Sequence, residues 1–547
     1  MAAFDQQTID EYRAQGDWDT QTVADLVGRN ARRRPDGIAF IAPDATLTWR
    51  EYDELSLRLA GALVEAGLRR GDLVAALLTG GALVHVVYLA AQKAGLVTVG
   101  LGPRSSDSEI AHLLRLTGAT TLLTRPVHRG RPADQLARGP VDRRIVVALD
   151  GPELTMLRDG APVTLPDAAR AAELTAGRGL GPDDLFFLNS TSGTTGLPKC
   201  VRQTMNVRRY FGILAAEAAR FGPDEVFASL IPAPYGFGLW TAHFTPAMYG
   251  YPTVLVDEFE VTEALRLIEA NRVTMLAAVT SQFIMMLNSP EMARRDLSSL
   301  RTMFTGGEKV PPQRAAEFED RTGCVVLQFY GSNEAGPVSV TRRDDDREHR
   351  LATAGRVVGA QRVRLFDPLG EDITETGGPG QCAVRGPGIT PGYQGDEAAN
   401  GQLLRPDGWM LLGDLVTIDP DGYVRVTGRA ADFIIRGGYN VSALVVEEAV
   451  GGHPRVAQVA VVGVADEVLG ERVCAFVSTT DGADLDLADL CEHLAARDVS
   501  KQNWPERLVT VDALPISAGG KVDKARLRAA AATRFAGGDA GDLDDRD

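Results

Sequence analysis

Apolar residues recur at helical spacing in "YDELSLRLAGALVEAG", where a glycine ends the run, and the pattern predicts an amphipathic helix. Just before it, "GIAFIAPDATLTW" predicts two short strands around Pro43 and Asp44. "DLVAALLT" reads as a buried strand, "ALVHVVYLAAQKAG" as a second helix and "LVTVGL" as the next strand. Such strand-helix-strand alternation points to parallel α/β layers. A Pro-, Gly- and Arg-rich stretch around 126–182 reads as looser chain. The pattern then resumes in "PTVLVDEF", "VTMLAAVT", "LRTMFTGG" and "CVVLQFYG", each ending in a turn or polar loop, with helical runs such as "VTEALRLIEANR" between them. In open α/β sheets, ligands bind at such carboxyl ends of strands. From about residue 355 the texture is β-rich ("GQCAVRG", "DLVTID", "GYVRVTG"). After "GRAADFIIRGGYN" it suits a small α+β unit, with helix "VSALVVEEAV", strands "AQVAVVGV" and "RVCAFVST" and a further helix. The tail "FAGGDAGDLDDRD" is acidic and glycine-rich, and disorder is expected there.

Composition changes this picture little but excludes several classes. With 547 residues, 44% hydrophobic and 24% charged, the chain is an ordinary globular protein of several domains rather than a fibrous or disordered one. The net charge of -16 argues against broad binding to nucleic acid, which needs clustered Lys and Arg. Cys200, Cys324, Cys382, Cys474 and Cys491 are scattered without a CxxC pair, so neither a metal cage nor a disulfide framework is expected. The longest apolar region carries His85, Gln92 and Lys93 and is broken by glycine, unlike a membrane span. The acidic amino terminus lacks the basic start and apolar run of a signal peptide, and a cytoplasmic protein is expected.

The candidate chemistry starts at "STSGTTGLPKC", residues 190–200, which sets five hydroxyl side chains and two glycines beside Lys199. Small residues leave backbone N–H groups open to an anion, and hydroxyls add donors without bulk. A polyphosphate is a natural guest. The stretch is not a standard P-loop, because Pro198 precedes the lysine and Cys200 follows it. By composition alone it could equally be a surface linker.

The order of further motifs decides between these. "STSGTTGLPK", "YGSNEAG" (330–336), "DGWMLLGD" (407–414), "GRAADFIIRGG" (428–438) and "ISAGGKVDKARL" (516–527) together resemble the adenylate-forming superfamily, over nearly the whole chain. That superfamily includes acyl- and aryl-CoA synthetases and peptide-synthetase adenylation domains. The amino-terminal segment is most similar to stand-alone aryl acid-AMP ligases. The resemblance implies an α/β fold, with a large amino-terminal part of several α/β subdomains and a β-rich region over 1–430. It also implies a small mobile carboxy-terminal α+β domain over 431–535, carrying Lys521, with 536–547 as the acidic tail.

It further implies an ATP-dependent reaction that converts a carboxylic acid to acyl-AMP, with release of pyrophosphate. The loop matching Thr191, Ser192, Gly193, Thr194, Thr195, Gly196 and Lys199 would wrap the β- and γ-phosphates. Glu334 matches the glutamate that helps hold Mg2+, and Asn333 stands where a Thr or Ser usually meets the α-phosphate. Asp414 and Arg429 match the residues that hold the ribose hydroxyls, and Gly306, Gly307 and Glu308 match the segment along the adenine. Leu412 departs from the Thr or Ser usual before the Gly-Asp pair. Lys521 matches the lysine brought to the substrate carboxylate and α-phosphate, Lys199 and Glu334 being the other catalytic candidates.

The acid pocket of relatives is walled by segments matching "PAPYGFGLW", "TGGE" and the strand before "YGSNEAG", which nominates Tyr235, Phe237, Gly306 and Phe329 for a flat ring. In relatives the small domain rotates after adenylation and presents the "FIIRGG" face, so Gly437 and Gly438 would flank a pantetheine tunnel. The usual hinge Asp or Lys is Ala431 here. Siderophore aryl ligases carry an Asn where this chain has Pro234-Tyr235, whereas Gly438-Tyr439-Asn440 resembles CoA ligases. The implied acceptor is CoA, the alternative being a carrier-protein phosphopantetheine or a small amine or hydroxyl nucleophile. The acid is expected to be aromatic or cyclic, and a homodimer is left open.

Overall fold

The computed structural model describes residues 4–136, 141–191, 198–308, 310–367, 369–429, 433–436, 439–466, 468–480, 485–497, 499–516 and 522–535. Its amino-terminal region is built on two large sheets. In one, the neighbouring strands Arg143–Asp150, Thr121–Thr124, Leu73–Leu77, Val97–Leu101 and Leu185–Thr191 all run parallel. Their apolar stretches are buried, as expected of strands covered on both faces. In the other, Val325–Ser332, Thr302–Gly306, Met275–Ala277, Phe227–Ser229, Thr253–Leu255 and Ile38–Ile41 form the parallel centre. Both sheets are closed by antiparallel strands at each end, so the layers are mixed rather than wholly parallel.

The helices between them follow from local chemistry. Trp49–Glu65 starts at Thr48, whose hydroxyl accepts from the Glu51 backbone while the Glu51 carboxylate accepts from the Thr48 N–H. This reciprocal cap satisfies two orphan donors at the helix start. The next helix, Ala82–Ala94, is buried almost all round and ends at Gly95, which takes a left-handed φ of 78°. One core cluster contains Val74 and Ala76 from the first sheet with Phe40 and Leu255 from the second, so burial couples the two sheets. His85 and His243 stack inside it, and Gln92 Nε2 lies 3.1 Å from His243 Nε2. Burial holds the His243 imidazole neutral, its pKa pushed down to about 3.

The stretch around 126–182, expected to be loose, instead extends the first sheet. Arg143–Asp150 pairs in parallel with Thr121–Thr124, and Glu153–Arg158 and Ala161–Val163 follow as antiparallel hairpin strands. Residues 145–149 of the first strand form an apolar, mostly buried run, whereas the two outer strands are largely exposed and carry little hydrophobic signal. Cross-strand hydrogen bonding supplies what periodicity lacks.

Towards the carboxyl terminus, a four-stranded antiparallel sheet (Arg362–Phe366, Gly380–Arg385, Met410–Ile418, Val424–Arg429) precedes a smaller mixed unit. There Val456–Asp466 pairs with Gly470–Thr479, Arg507–Thr510 joins in parallel, and the helices Ala443–Gly451 and Leu487–Ala496 pack their apolar sides into one cluster. No helix among the described residues is long and apolar enough to cross a membrane.

Candidate active site

The strands on either side of residues 192–197 are the two arms of a β-hairpin. Leu185–Thr191 and Lys199–Thr204 pair antiparallel with Thr191 opposite Lys199, so the chain returns along its own strand instead of entering a helix, the geometry a P-loop would need. Ser192, Gly193, Thr194, Thr195 and Gly196 lie outside the described residues, as do Lys521, Gly437, Gly438, Ala431 and the segment 536–547. Thr191 is placed by its backbone.

Lys199 is half-buried, and its Nζ stands 4.9 Å from the centre of the Tyr393 ring. The Tyr393 hydroxyl donates to Glu334 Oε1 at 2.8 Å. Burial raises the Tyr393 phenol first, and the Glu334 charge raises it further. Backbone bonds lock the three groups together. Arg202 N–H donates to the Gly392 carbonyl at 2.9 Å, Gln394 N–H to the Cys200 carbonyl at 2.8 Å, and Thr390 N–H to the Glu334 carbonyl at 2.8 Å. Segment 390–394 thus runs between the hairpin and the Glu334 loop. Tyr393 escaped the sequence reading, since a tyrosine between Gly392 and Gln394 carries no mark of what it will face.

Gly306 ends its strand and pairs in register with Phe329, inside the neighbouring parallel strand Val325–Ser332. A Cβ on Gly306 would fall 2.3 Å from the Phe329 carbonyl oxygen, so the close approach requires glycine. Gly307 follows with φ 81°. The Glu308 carboxylate turns to the helix Thr280–Asn288, where Oε1 accepts from Ser281 N–H at 3.3 Å, a helix-start contact favourable to an anion.

Asn333 and Glu334 follow the strand Val325–Ser332, and the Ser332 hydroxyl accepts from the Glu334 N–H at 3.2 Å. The Asn333 carbonyl accepts from Gln203 Nε2 at 3.0 Å, tying this loop to the strand after the hairpin. Asp414 and Arg429 stand opposite one another on antiparallel strands. Asp414 also lies beside Tyr330, whose phenol is driven up by burial first, then by the Cys382 thiol and the Asp414 carboxylate.

The aromatic candidates part company. Phe237 and Phe329 meet edge to face at 4.8 Å and 77°, and Trp240, not among the nominated residues, stacks on Phe237 at 5.6 Å and 21°. Tyr235 points elsewhere: a Cβ on Gly102, just past the strand Val97–Leu101, would fall 2.5 Å from its hydroxyl. Burial pushes that phenol up. Tyr235 therefore reaches toward the first sheet while Phe237 and Phe329 line the second.

Among the described residues, then, the carboxyl ends of parallel strands from both sheets bring together Lys199, Asn333, Glu334, Gly306, Gly307, Phe237 and Phe329 around newly identified Tyr393 and Trp240. A cation and a carboxylate meet at Tyr393, and the strand that leads to Glu334 carries Phe329 of the aromatic group, an arrangement that suits a ligand with an anionic end and a flat body.

Comparison with known proteins places the chain in a family. Residues 27–394 match the family model described as AMP-binding enzyme, and residues 445–521 match the AMP-binding enzyme C-terminal domain. The medium-chain fatty-acid–CoA ligase of Escherichia coli is 31% identical over 96% of this chain and 93% of its own. The 2-hydroxy-7-methoxy-5-methyl-1-naphthoate–CoA ligase of Streptomyces carzinostaticus is 32% identical over 95% of each. The solved structure of the amide bond synthetase McbA from Marinactinospora thermotolerans superposes with a TM-score of 0.78 at 30% identity, covering 92% of this chain and 99% of that one. The chain belongs to the AMP-binding enzyme family, the adenylate-forming superfamily whose motifs run along its length.

Proposed function

We propose that the protein activates an aromatic or cyclic carboxylic acid with ATP and passes the acyl group to CoA. A carboxylate oxygen of the acid attacks the α-phosphorus, the bond to the bridging oxygen breaks, and pyrophosphate leaves. The thiol sulfur then attacks the acyl carbon of the adenylate and AMP departs. The observation that carries this reading is the meeting of Lys199, Tyr393 and Glu334 at the strand ends, a cation and a carboxylate held in one crevice by a shared phenol.

In this reading Lys199 and the hairpin tip hold the β- and γ-phosphates, Asn333 donates to the α-phosphate, Asp414 and Arg429 hold the ribose, and Gly306, Gly307 and Glu308 border the adenine. Glu334 is a half-buried carboxylate with one oxygen already bound by Tyr393, a hard donor that suits Mg2+ alongside phosphate oxygens. When bound, the ion neutralises charge on the phosphates. Residues 1–430 form the adenylating domain and 431–535 the mobile one, which delivers Lys521 for the first half-reaction and Gly437 and Gly438 for the second. Phe237 and Phe329 wall the acid. Phe237→Ala is expected to raise kcat/KM for bulkier ring acids over smaller ones by about tenfold, the worth of a methylene or two in an apolar pocket. An unchanged acid profile would remove Phe237 from the wall.

A second acceptor is favoured by one finding, the likeness to an amide bond synthetase at 30% identity over nearly all of both chains. In this second reading a small amine would take the acyl group directly from the adenylate. A single experiment tests both readings: ATP–pyrophosphate exchange over a panel of acids, then mass analysis of products with CoA, with amines and with neither. Acid-dependent exchange and a CoA thioester are expected. Amide without CoA would favour the second acceptor, and no exchange with any acid would overturn adenylation itself.

A further inference from the structure

The chain buries a guanidinium directly behind the loop that carries Asn333 and Glu334. Arg208, on the helix Met205–Ala219, is fully shielded from solvent. Its Nη2 donates to Asn189 Oδ1 at 3.0 Å and reaches the Asn333 carbonyl at 3.5 Å, and its Cζ lies 4.8 Å from the centre of the Phe211 ring. Burial pulls the guanidinium pKa down, and the Glu334 charge opposes that shift. Burying a cation is costly, so its place needs a reason beyond packing.

Its neighbours supply one. Asn189, on the strand that leads into the hairpin tip, donates through Nδ2 to the Pro234 carbonyl at 2.6 Å, so Arg208 is tied through one amide to the loop of Tyr235 and Phe237. At Gly236 a Cβ would lie 1.9 Å from Asn333 Oδ1 and 3.0 Å from Arg208 Nη1. The amide oxygen and Nη1 therefore lie within about 5 Å of one another, across space that only glycine leaves open. A cation on that side attracts the amide oxygen and repels the Nδ2 donor.

We propose that Arg208 is a positioning residue for adenylation, orienting the Asn333 amide so that its Nδ2 donor, not its oxygen, faces the α-phosphate. The inference rests on the reading of Asn333 as the α-phosphate contact. A hydroxyl at that position would need no such help, because it rotates to present its proton to any acceptor. An amide has one end that donates and one that repels an anion, and the two are nearly equal in shape. The buried cation breaks that symmetry before the nucleotide arrives, so no reorganisation remains for the reaction step.

A double-mutant cycle of Arg208→Met and Asn333→Thr tests this, with kcat and KM for ATP measured in acid-dependent pyrophosphate exchange and melting followed for each variant. Arg208→Met is expected to lower kcat by about tenfold while the KM for ATP stays within about threefold, because the lost interaction belongs to the transition state. In the Asn333→Thr background the same substitution should cost less than about threefold, a coupling expected only of groups in contact. Equal cost in both backgrounds would make Arg208 a merely structural residue and overturn the proposal. Should Arg208→Met fail to fold, Gly236→Ala replaces it in the cycle, since its Cβ displaces Asn333 Oδ1 without removing a charge. Its cost must likewise shrink in the Asn333→Thr background, and equal costs there overturn the proposal too. Wild-type protein without exchange would overturn the functional reading, whereas normal wild-type exchange with independent substitutions overturns only the role of Arg208.

Discussion

Lys521→Ala should lower acyl-AMP formation by about a hundredfold to a thousandfold, the effect of removing one donor aimed at developing transition-state charge. Thioester formation from supplied acyl-AMP should survive. Attack on the α-phosphorus gathers negative charge on its oxygens, and a lysine held near them acts only in that half-reaction. Lys521 itself lies outside the described residues, and those on either side of it pair with one another. Ile516 bridges Val522, and Asp523 N–H donates to the Pro515 carbonyl at 2.8 Å, pinching the base of the intervening segment. Beyond it the helix Lys524–Phe535 anchors itself through buried Leu527 and Ala531. Pyrophosphate exchange and single-turnover thioester formation, measured side by side, check the expectation. Equal loss in both would contradict a lysine that serves adenylation alone.

The second large effect is expected at Glu334. Glu334→Gln keeps an acceptor for the Tyr393 hydroxyl and nearly the same shape, so it removes the charge with little else. If the carboxylate helps hold Mg2+, exchange should fall by about a hundredfold and the Mg2+ concentration for half-maximal rate should rise, since metal-bound charge stabilisation is worth several kcal/mol. Tyr393→Phe removes one hydrogen bond to the carboxylate and leaves the charge in place. It should cost about tenfold, in keeping with a hydrogen bond to a charged group. A Mg2+ titration of both variants separates the roles. An unaltered Mg2+ dependence in Glu334→Gln would take that residue out of the metal site, and a larger loss from Tyr393→Phe would transfer the main role to the phenol.

The sequence by itself determined what depends on neighbours along the chain. The strands Leu73–Leu77, Val97–Leu101 and Thr302–Gly306 and the helices Trp49–Glu65 and Ala82–Ala94 sit where their periodicities point, because a strand's alternation or a helix's stripe records which residues must leave water. The motifs around Thr191, Lys199, Glu334, Asp414 and Lys521 were legible only through their resemblance to the adenylate-forming superfamily, as short runs in a matching order. The tertiary structure alone decided the rest. The outer strands Glu153–Arg158 and Ala161–Val163 exist by pairing with Arg143–Asp150 and with one another, and their exposed faces hide that from any single-strand pattern. Tyr393 joins Lys199 to Glu334, Glu308 turns to the start of a helix, and Trp240 stacks on Phe237, contacts between segments far apart in the chain. Arg208 looks in sequence like half of a solvated Arg-Arg pair, and only the packing of its helix beneath Asn189 and Asn333 buries it. Local pattern encodes which side of an element seeks the core. Which side chains then face each other is settled when separate cores close on one another, and that step leaves no spacing behind.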